Sequence, residues 1–163
     1  MPINVSDDNP RIREFLRNFN VGVLATASRD GLPHAATIYF TTESDYSVYF
    51  VTKQKTTKSS NLQDNPRAAL AVFDAATQTT VQVAGDVEII EDVEEVQRLF
   101  SIMLTISHQT SDGHQPPISK LDAGKYVAYR LKPQVVRMAE FIKAEYPPVD
   151  ALFEVVTPPD TSL

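Results

Sequence analysis

The chain has 163 residues, a formal net charge of −6 and no cysteine. The missing cysteines exclude disulfides, thiol catalysis and cysteine-based metal sites, and the length suits one domain of ordinary size. The acidic balance argues against duplex nucleic-acid binding, and no apolar run approaches the ~20 residues that a membrane span requires. No basic segment followed by an apolar one opens the chain, so we expect a cytoplasmic protein that binds neither nucleic acid nor membranes.

The first half of the chain predicts one helix followed by three strands. Ser6 or Asp7 can cap the helix, whose apolar residues recur at helical spacing up to Phe19. The nearly continuous apolar run 21–28 predicts a strand buried on both faces. A turn signal at 29–31 leads into predicted strands at 33–41 and 46–52.

The second half predicts further strands around one long helix. Strands are expected at 68–73 and 79–90, with a bulge or bend at Gly85. Asp92 and Glu95 have capping-box spacing before an apolar helix face, and 107–124 has the composition of a loop. Pro133 separates two more predicted strands, 125–131 and 135–141. This order predicts a mainly β fold with flanking α, an antiparallel barrel of six to seven strands with two or three helices.

The segment from Thr52 to Arg67 is basic, in contrast to the acidic chain. It carries Lys53, Lys55, Lys58 and Arg67 against Asp64, a local charge of +3 from four bases minus one acid. Thr56 or Thr57 can cap a short helix that Asn65-Pro66 ends. Free N–H groups at a helix start beside hydroxyls and a lysine suit an anion such as a phosphate. Solvated lysines on a surface loop are the alternative interpretation.

No set of side chains has the spacing of a catalytic or metal site. His34, His108 and His114 are far apart, and the carboxylates of 86–95 are typical of a solvated strand face followed by a helix start. An enzyme of this kind would need a cofactor to supply its chemistry.

The order of these features resembles the pyridoxamine 5′-phosphate oxidase-like split β-barrel family, the FMN-binding group that includes general stress proteins. The resemblance is carried by VGVLATASRDGLPH at 21–34, VYFVT at 48–52, TTKSSNLQDNPRAAL at 56–70, VQVAGDVE at 81–88 and YRLKP at 129–133. It implies a single FMN-binding split-barrel domain over 1–142, followed by a partly flexible extension over 143–163.

The resemblance also implies a homodimer with FMN in grooves at the interface. The strands 21–28 and 68–73 independently suggest a partner subunit, because two helices are too few to cover two-sided apolar strands. Carried over by position, the FMN site comprises Thr37, Ile38 and Tyr39 along the ring and ribityl chain, Thr52 and Lys53 near the ribityl–phosphate region, Thr57 and Lys58 at the phosphate, Gln82 from the fifth strand, and Met138 or Phe141 from the other subunit.

Three positions depart from the family pattern. Ala36 stands where the family often has arginine, Thr57 replaces a basic residue before the phosphate lysine, and Ala139 stands where an aromatic residue is frequent. The residues 101–124 match no substrate-binding set of a true pyridoxamine phosphate oxidase. The resemblance therefore implies an FMN-dependent oxidoreductase of another specificity. The alternatives are a deazaflavin- or haem-binding protein of the same fold, and a non-enzymatic flavin-binding, stress-related or cofactor-free dimer.

Overall fold

The computed structural model describes residues 4–110, 112, 126–142 and 152–159. Their strands form one curled, mainly antiparallel sheet, a half-barrel of the split-barrel type. The strands are β1 (Asn4–Ser6), β2 (Val21–Ala27), β3 (Pro33–Tyr39), β4 (Thr41–Thr42), β5 (Val48–Lys53), β6 (Arg67–Asp74), β7 (Thr79–Ile90), β8 (Tyr126–Glu140) and β9 (Glu154–Val156). The helices are α1 (Pro10–Asn18), α2 (Thr57–Asp64) and α3 (Val93–Thr110). The predicted fold class is confirmed.

The sheet follows the order β1-β9-β8-β7-β6-β2-β3, and β5 pairs with both β8 and β4. Side chains alternate between the two faces of each strand, so Leu24, Leu70 and Val83 point into the barrel and are fully buried. Helix α1 adds Ile12 and Leu16 to this interior. A second, smaller cluster lies under α3, which packs on β5 and β8.

The prediction that strand 21–28 is buried on both faces is wrong for a single subunit. Its interior face is buried, whereas Val21 and Val23 on the other face are 38% and 44% exposed. Strand β6 alternates in the same way. The apolar run thus reflects an outward face that no described element of one subunit covers.

Helix α1 begins later than the sequence pattern predicts. Asn9, rather than Ser6 or Asp7, is the N-cap, and its side chain accepts a hydrogen bond from the backbone N–H of Arg11. Pro10 follows at the first helical position, where a missing N–H has no consequence and the fixed φ suits the helix.

The predicted bulge at Gly85 is confirmed, but the predicted break at Pro133 is wrong. The pairing of β7 with β8 shifts register between Ala84 and Gly85, and Pro133 lies directly opposite Gly85. A proline cannot donate to the ladder, so it is tolerated at this irregularity. Strand β8 therefore continues through Pro133 as one element of 15 residues.

Two boundaries near the end of the chain also differ from prediction. Helix α3 extends to Thr110, so residues 107–110 of the predicted loop are helical; residues 111 and 113–124 of that loop lie outside the described residues. Within the C-terminal extension, β9 pairs with β8 and, in parallel, with β1. The rest of the extension, 143–151 and 160–163, lies outside the described part.

None of the three described helices combines the length and the apolar character that a membrane span requires.

Candidate functional site

The basic segment forms the predicted short helix. Thr56 caps α2, and its hydroxyl accepts a hydrogen bond from the backbone N–H of Ser59 at 3.3 Å. The same hydroxyl donates to the carbonyl oxygen of Lys53 at 3.2 Å, which ties the helix start to the end of β5. The helix ends at Asp64 before Asn65-Pro66, as predicted.

The first turn of α2 presents unused hydrogen-bond donors. Among the described residues, no group accepts from the backbone N–H groups of Thr57 and Lys58. Lys58 is half-buried and has no ion-pair partner in the described part of the chain. Burial lowers the pKa of its ammonium group, because desolvation disfavours the charged form. The turn is therefore electropositive, and none of the described residues provides an anion for it.

The underside of α2 is fixed to the barrel by buried polar contacts. The hydroxyls of Ser59 and Tyr129 lie 2.9 Å apart, and the Asn61 amide donates to the Thr26 hydroxyl at 3.0 Å. These contacts link the helix to β8 and β2. Helix α2 consequently holds its first turn at a defined place beside the sheet.

The outward side of the sheet carries two rows of side chains that are register partners across β3, β2, β6, β7 and β8. The first row consists of Thr37, Val23, Ala71, Gln82 and Arg137. The second row consists of Ala35, Ala25, Ala69, Ala84 and Val135. We call these ten residues the outer face. A shallow hollow of about 290 Å³ lies on it, mostly over small apolar side chains.

The structure brings some of the predicted site residues to this face and turns others away from it. Thr37 and Gln82 both lie in the first row, three strand spacings or about 14 Å apart. Thr52 is buried, and Lys53 is exposed at the end of β5, next to α2. Thr57 is exposed at the first turn.

Ile38 and Met138 face the interior. Each is 5% exposed and belongs to the barrel core. Tyr39 is half-buried at the end of β3, and Phe141 directly follows β8. Beside Met138, the side chain that points outward is Arg137, which the sequence reasoning missed. The alternation of Val135, Val136 and Arg137 in the sequence could have indicated this orientation. The irregularity at Gly85 and Pro133 shifts the register, however, so the sequence pattern alone does not show which residues of the strand face outward.

The three departures from the family pattern lie in different environments. Ala36 pairs with the buried Leu24 on the interior side of β3, Thr57 is exposed on α2, and Ala139 is 2% exposed. Thr57 can still offer a hydroxyl to an anion. Lys58 is then the cation that the first turn of α2 provides.

A second, open cleft of about 680 Å³ lies at another part of the barrel, and most of its charged side chains are in ion pairs. Asp8 bonds to Arg13 and to the Tyr46 hydroxyl, and Asp45 lies 3.0 Å from Arg130. Hydrogen bonds from these partners hold the pKa of the Asp8 carboxyl below its ordinary value. These contacts are those of a structural network.

Histidine and metal chemistry receive no support from the described part of the chain. No group of three or more potential metal-ligating side chains is found among the described residues. His34 lies on the same side of β3 as the buried Ile38, and its Nδ1 atom is buried without a hydrogen-bond partner. His114 lies outside the described residues.

The comparison with protein families agrees with this arrangement. The family model described as pyridoxamine 5′-phosphate oxidase matches residues 9–139, which is well over half of the chain. The chain belongs to this family. The match includes α2, the outer face and Arg137, and it ends before the C-terminal extension.

Solved structures of the same fold have several different functions. A conserved hypothetical protein from Mycobacterium tuberculosis is 23% identical with a TM-score of 0.65, covering 84% of this chain and 87% of its own. A haem binding protein from Mycobacterium smegmatis is 20% identical with a TM-score of 0.65, covering 92% of this chain and 59% of its own. An F420 reductase is 24% identical with a TM-score of 0.60, covering 76% of this chain and 94% of its own. At these identities the likeness concerns the fold alone.

Proposed function

We propose that this family member is a homodimeric FMN-binding protein that acts in redox chemistry. The observation that carries the proposal is the first turn of α2, where Thr57, Lys58 and two backbone N–H groups meet and no described residue supplies an anion or acceptor. A half-buried cation with no partner is unfavourable unless a ligand supplies the opposite charge. The FMN phosphate is an anion of suitable size and charge for such a helix start.

The outer face is the feature that supports the proposed homodimer. Seven of the ten side chains of this face are apolar. Val23 within it is 44% exposed, and Phe73 on the same side of β6 is 57% exposed. Exposed apolar patches of this kind mark interaction sites, and a second copy is the partner that the family resemblance implies. Thr37 and Gln82 of one subunit are about 14 Å apart across the sheet, so we expect Gln82 to serve the FMN held mainly by the partner.

In the bound complex FMN would supply hydride or electron transfer. The protein's own part is to hold the phosphate at Lys58 and Thr57, to orient the ring against the outer face, and to exclude water when the two faces meet. The proposed function includes neither a catalytic side chain nor turnover of pyridoxamine 5′-phosphate. Most of residues 101–124, the segment without a match to the substrate-binding residues of the true oxidases, lie outside the described residues.

The test is reconstitution of the purified protein with excess FMN, followed by desalting and a visible absorption spectrum. We expect retained flavin at one FMN per subunit, reduction by a nicotinamide donor or a chemical reductant, and reoxidation by an added acceptor. A protein that stays colourless would contradict the proposal. A flavin that is retained but never cycles with any donor would favour the non-enzymatic, stress-related dimer.

The other cofactors of this fold are distinguished by the same experiment with different ligands. Preferential retention of a deazaflavin over FMN would indicate an F420-type protein. A Soret band after incubation with haem would indicate a haem protein, although the outer face contains no histidine among its ten residues. We expect one FMN per subunit, no preference for a deazaflavin and no Soret band.

A further inference from the structure

Arg137 is an unpaired cation on the otherwise uncharged outer face. It is exposed at one end of the first row, directly beside Gln82. No described residue forms an ion pair or hydrogen bond with its guanidinium group. None of the other nine residues of the face is acidic.

The acidic groups closest to the face along the strands are already occupied. Asp86 follows Gln82 on β7 beyond the bulge, and its carboxylate lies 3.6 Å from Arg67 and accepts a hydrogen bond from Gln134 at 2.7 Å. Glu140 on β8 pairs with Arg11. Neither carboxylate is available to Arg137 without breaking an existing contact.

The outer face of a second subunit in the proposed dimer does not provide a carboxylate for Arg137 either. In a two-fold symmetric interface the same patch is present on both subunits, so the second copy brings another Arg137 and again no acid. Burying an uncompensated charge is unfavourable by several kcal/mol. Among the described residues, no carboxylate of the outer face therefore meets Arg137, and a bound anionic ligand would supply the opposite charge.

We infer that Arg137 binds the negatively charged ring of reduced FMN and thereby stabilises the reduced cofactor relative to the oxidised one. This inference rests on the proposed function. In the proposed function each FMN phosphate has its own cation, Lys58, on the helix that Asn61 joins to Thr26 of β2. The row that ends in Arg137 crosses β2 at Val23, three residues earlier.

The surroundings of Arg137 suit the ring better than the phosphate. The second row of small side chains forms a flat floor on which a planar ring can lie, and Gln82 adds an amide beside the guanidinium group. The ring of FMN is uncharged when oxidised and gains negative charge at N1 and the neighbouring carbonyl oxygen when reduced. A fixed positive charge near those atoms favours the reduced form.

The test compares Arg137→Gln and Arg137→Lys with the wild type in binding oxidised and reduced FMN under anaerobic conditions. Arg137→Gln should weaken the binding of reduced FMN at least tenfold more than that of oxidised FMN. For a two-electron couple this ratio equals a midpoint potential lowered by about 30 mV. Arg137→Lys should restore most of the ratio. Arg67→Gln is the matched control, since Arg67 is also exposed on β6 but is paired with Asp86.

Other roles of Arg137 give different results, and each would overturn the inference. An equal loss for oxidised and reduced FMN, with riboflavin unaffected, would assign Arg137 to the phosphate. A weaker cofactor-free dimer with an unchanged ratio would assign it to a protein–protein ion pair. Wild-type protein that retains no FMN would contradict the proposed function and this inference together, whereas normal retention with an unchanged ratio in Arg137→Gln contradicts only the inference.

Discussion

The hydroxyl groups of Ser59 and Tyr129 lie 2.9 Å apart in the interior, where they join α2 to β8. Both residues are nearly inaccessible, at 0% and 3% exposure. Tyr129→Phe leaves the Ser59 hydroxyl without this partner, so we expect a loss of about 1–3 kcal/mol in the free energy of unfolding, measured by urea denaturation. The double variant with Ser59→Ala should lose less than the sum of the single variants, because it removes both polar groups.

Ser60→Ala is the control for this contact. Ser60 is the exposed neighbour on the same helix, and its replacement should change stability by less than about 0.5 kcal/mol. Strictly additive losses at Ser59 and Tyr129 would show that the two hydroxyls do not interact.

Lys58→Ala should reduce FMN affinity while leaving riboflavin affinity nearly unchanged. Lys58 is half-buried at the first turn of α2, whereas Lys55 in the same segment is exposed. Loss of one charge-assisted hydrogen bond corresponds to about 1.5–3 kcal/mol, or roughly ten- to a hundred-fold in Kd. Lys55→Ala is the matched control and should have a small effect. Isothermal titration calorimetry measures the affinities for both ligands. Equal losses of affinity for FMN and riboflavin would show that Lys58 supports the fold rather than binding the phosphate.

FMN affinity should fall in alkaline solution at a pH below the ordinary lysine value of 10.5. Burial lowers the pKa of Lys58 in the free protein, so rising pH removes its charge, and with it the partner of the phosphate, earlier than for an exposed lysine. Lys58→Ala should lack this alkaline decrease. In the cofactor-free protein the sign is opposite for stability: the unfolded chain holds the proton more tightly, so this group's contribution becomes more favourable as pH rises from the lowered pKa toward 10.5.

Val23→Glu should dissociate the proposed homodimer into subunits of 18.1 kDa. Val23 lies in the first row between Thr37 and Ala71, so the substitution would bury a carboxylate in the interface and raise the dimer dissociation constant at least about tenfold. Val93→Glu is the matched control, because Val93 is 67% exposed at the start of α3, away from the outer face. Multi-angle light scattering distinguishes dimer from monomer for both variants. Wild-type protein that is monomeric at micromolar concentration would contradict the proposed dimer.

Gly85→Ala should be far more destabilising than Gly31→Ala. A Cβ atom on Gly85 would lie 1.9 Å from the carbonyl oxygen of Lys132, so the paired strands would have to separate. We expect a loss above about 3 kcal/mol. Gly31 has a φ of +89° but open space around it, and its replacement should lose about 1 kcal/mol from backbone strain alone. Similar thermal shifts for the two variants would contradict the close approach at the bulge.

Local patterns in the sequence were sufficient for most of the elements. The capped helix that ends before Asn65-Pro66, the strand from Thr79 to Ile90 and the bulge at Gly85 all follow from interactions within a few residues. Helix capping, side-chain alternation and glycine conformation depend on neighbouring residues, so they can be predicted from one sequence. The basic first turn of α2 and its lysine were predictable for the same reason.

Pairing over long distances decided the rest. Strand β8 continues through Pro133 because Gly85, almost fifty residues earlier, provides a bulge opposite it, and β9 forms because β1 and β8 offer it partners. The same register determines that Met138 faces the core and Arg137 faces outward in line with Gln82. The sequence by itself determined the fold class and the candidate phosphate helix, whereas only the tertiary structure decided which side chains share the outer face. A shift of one residue in strand register turns every side chain to the opposite face, and that register depends on contacts that no local pattern contains.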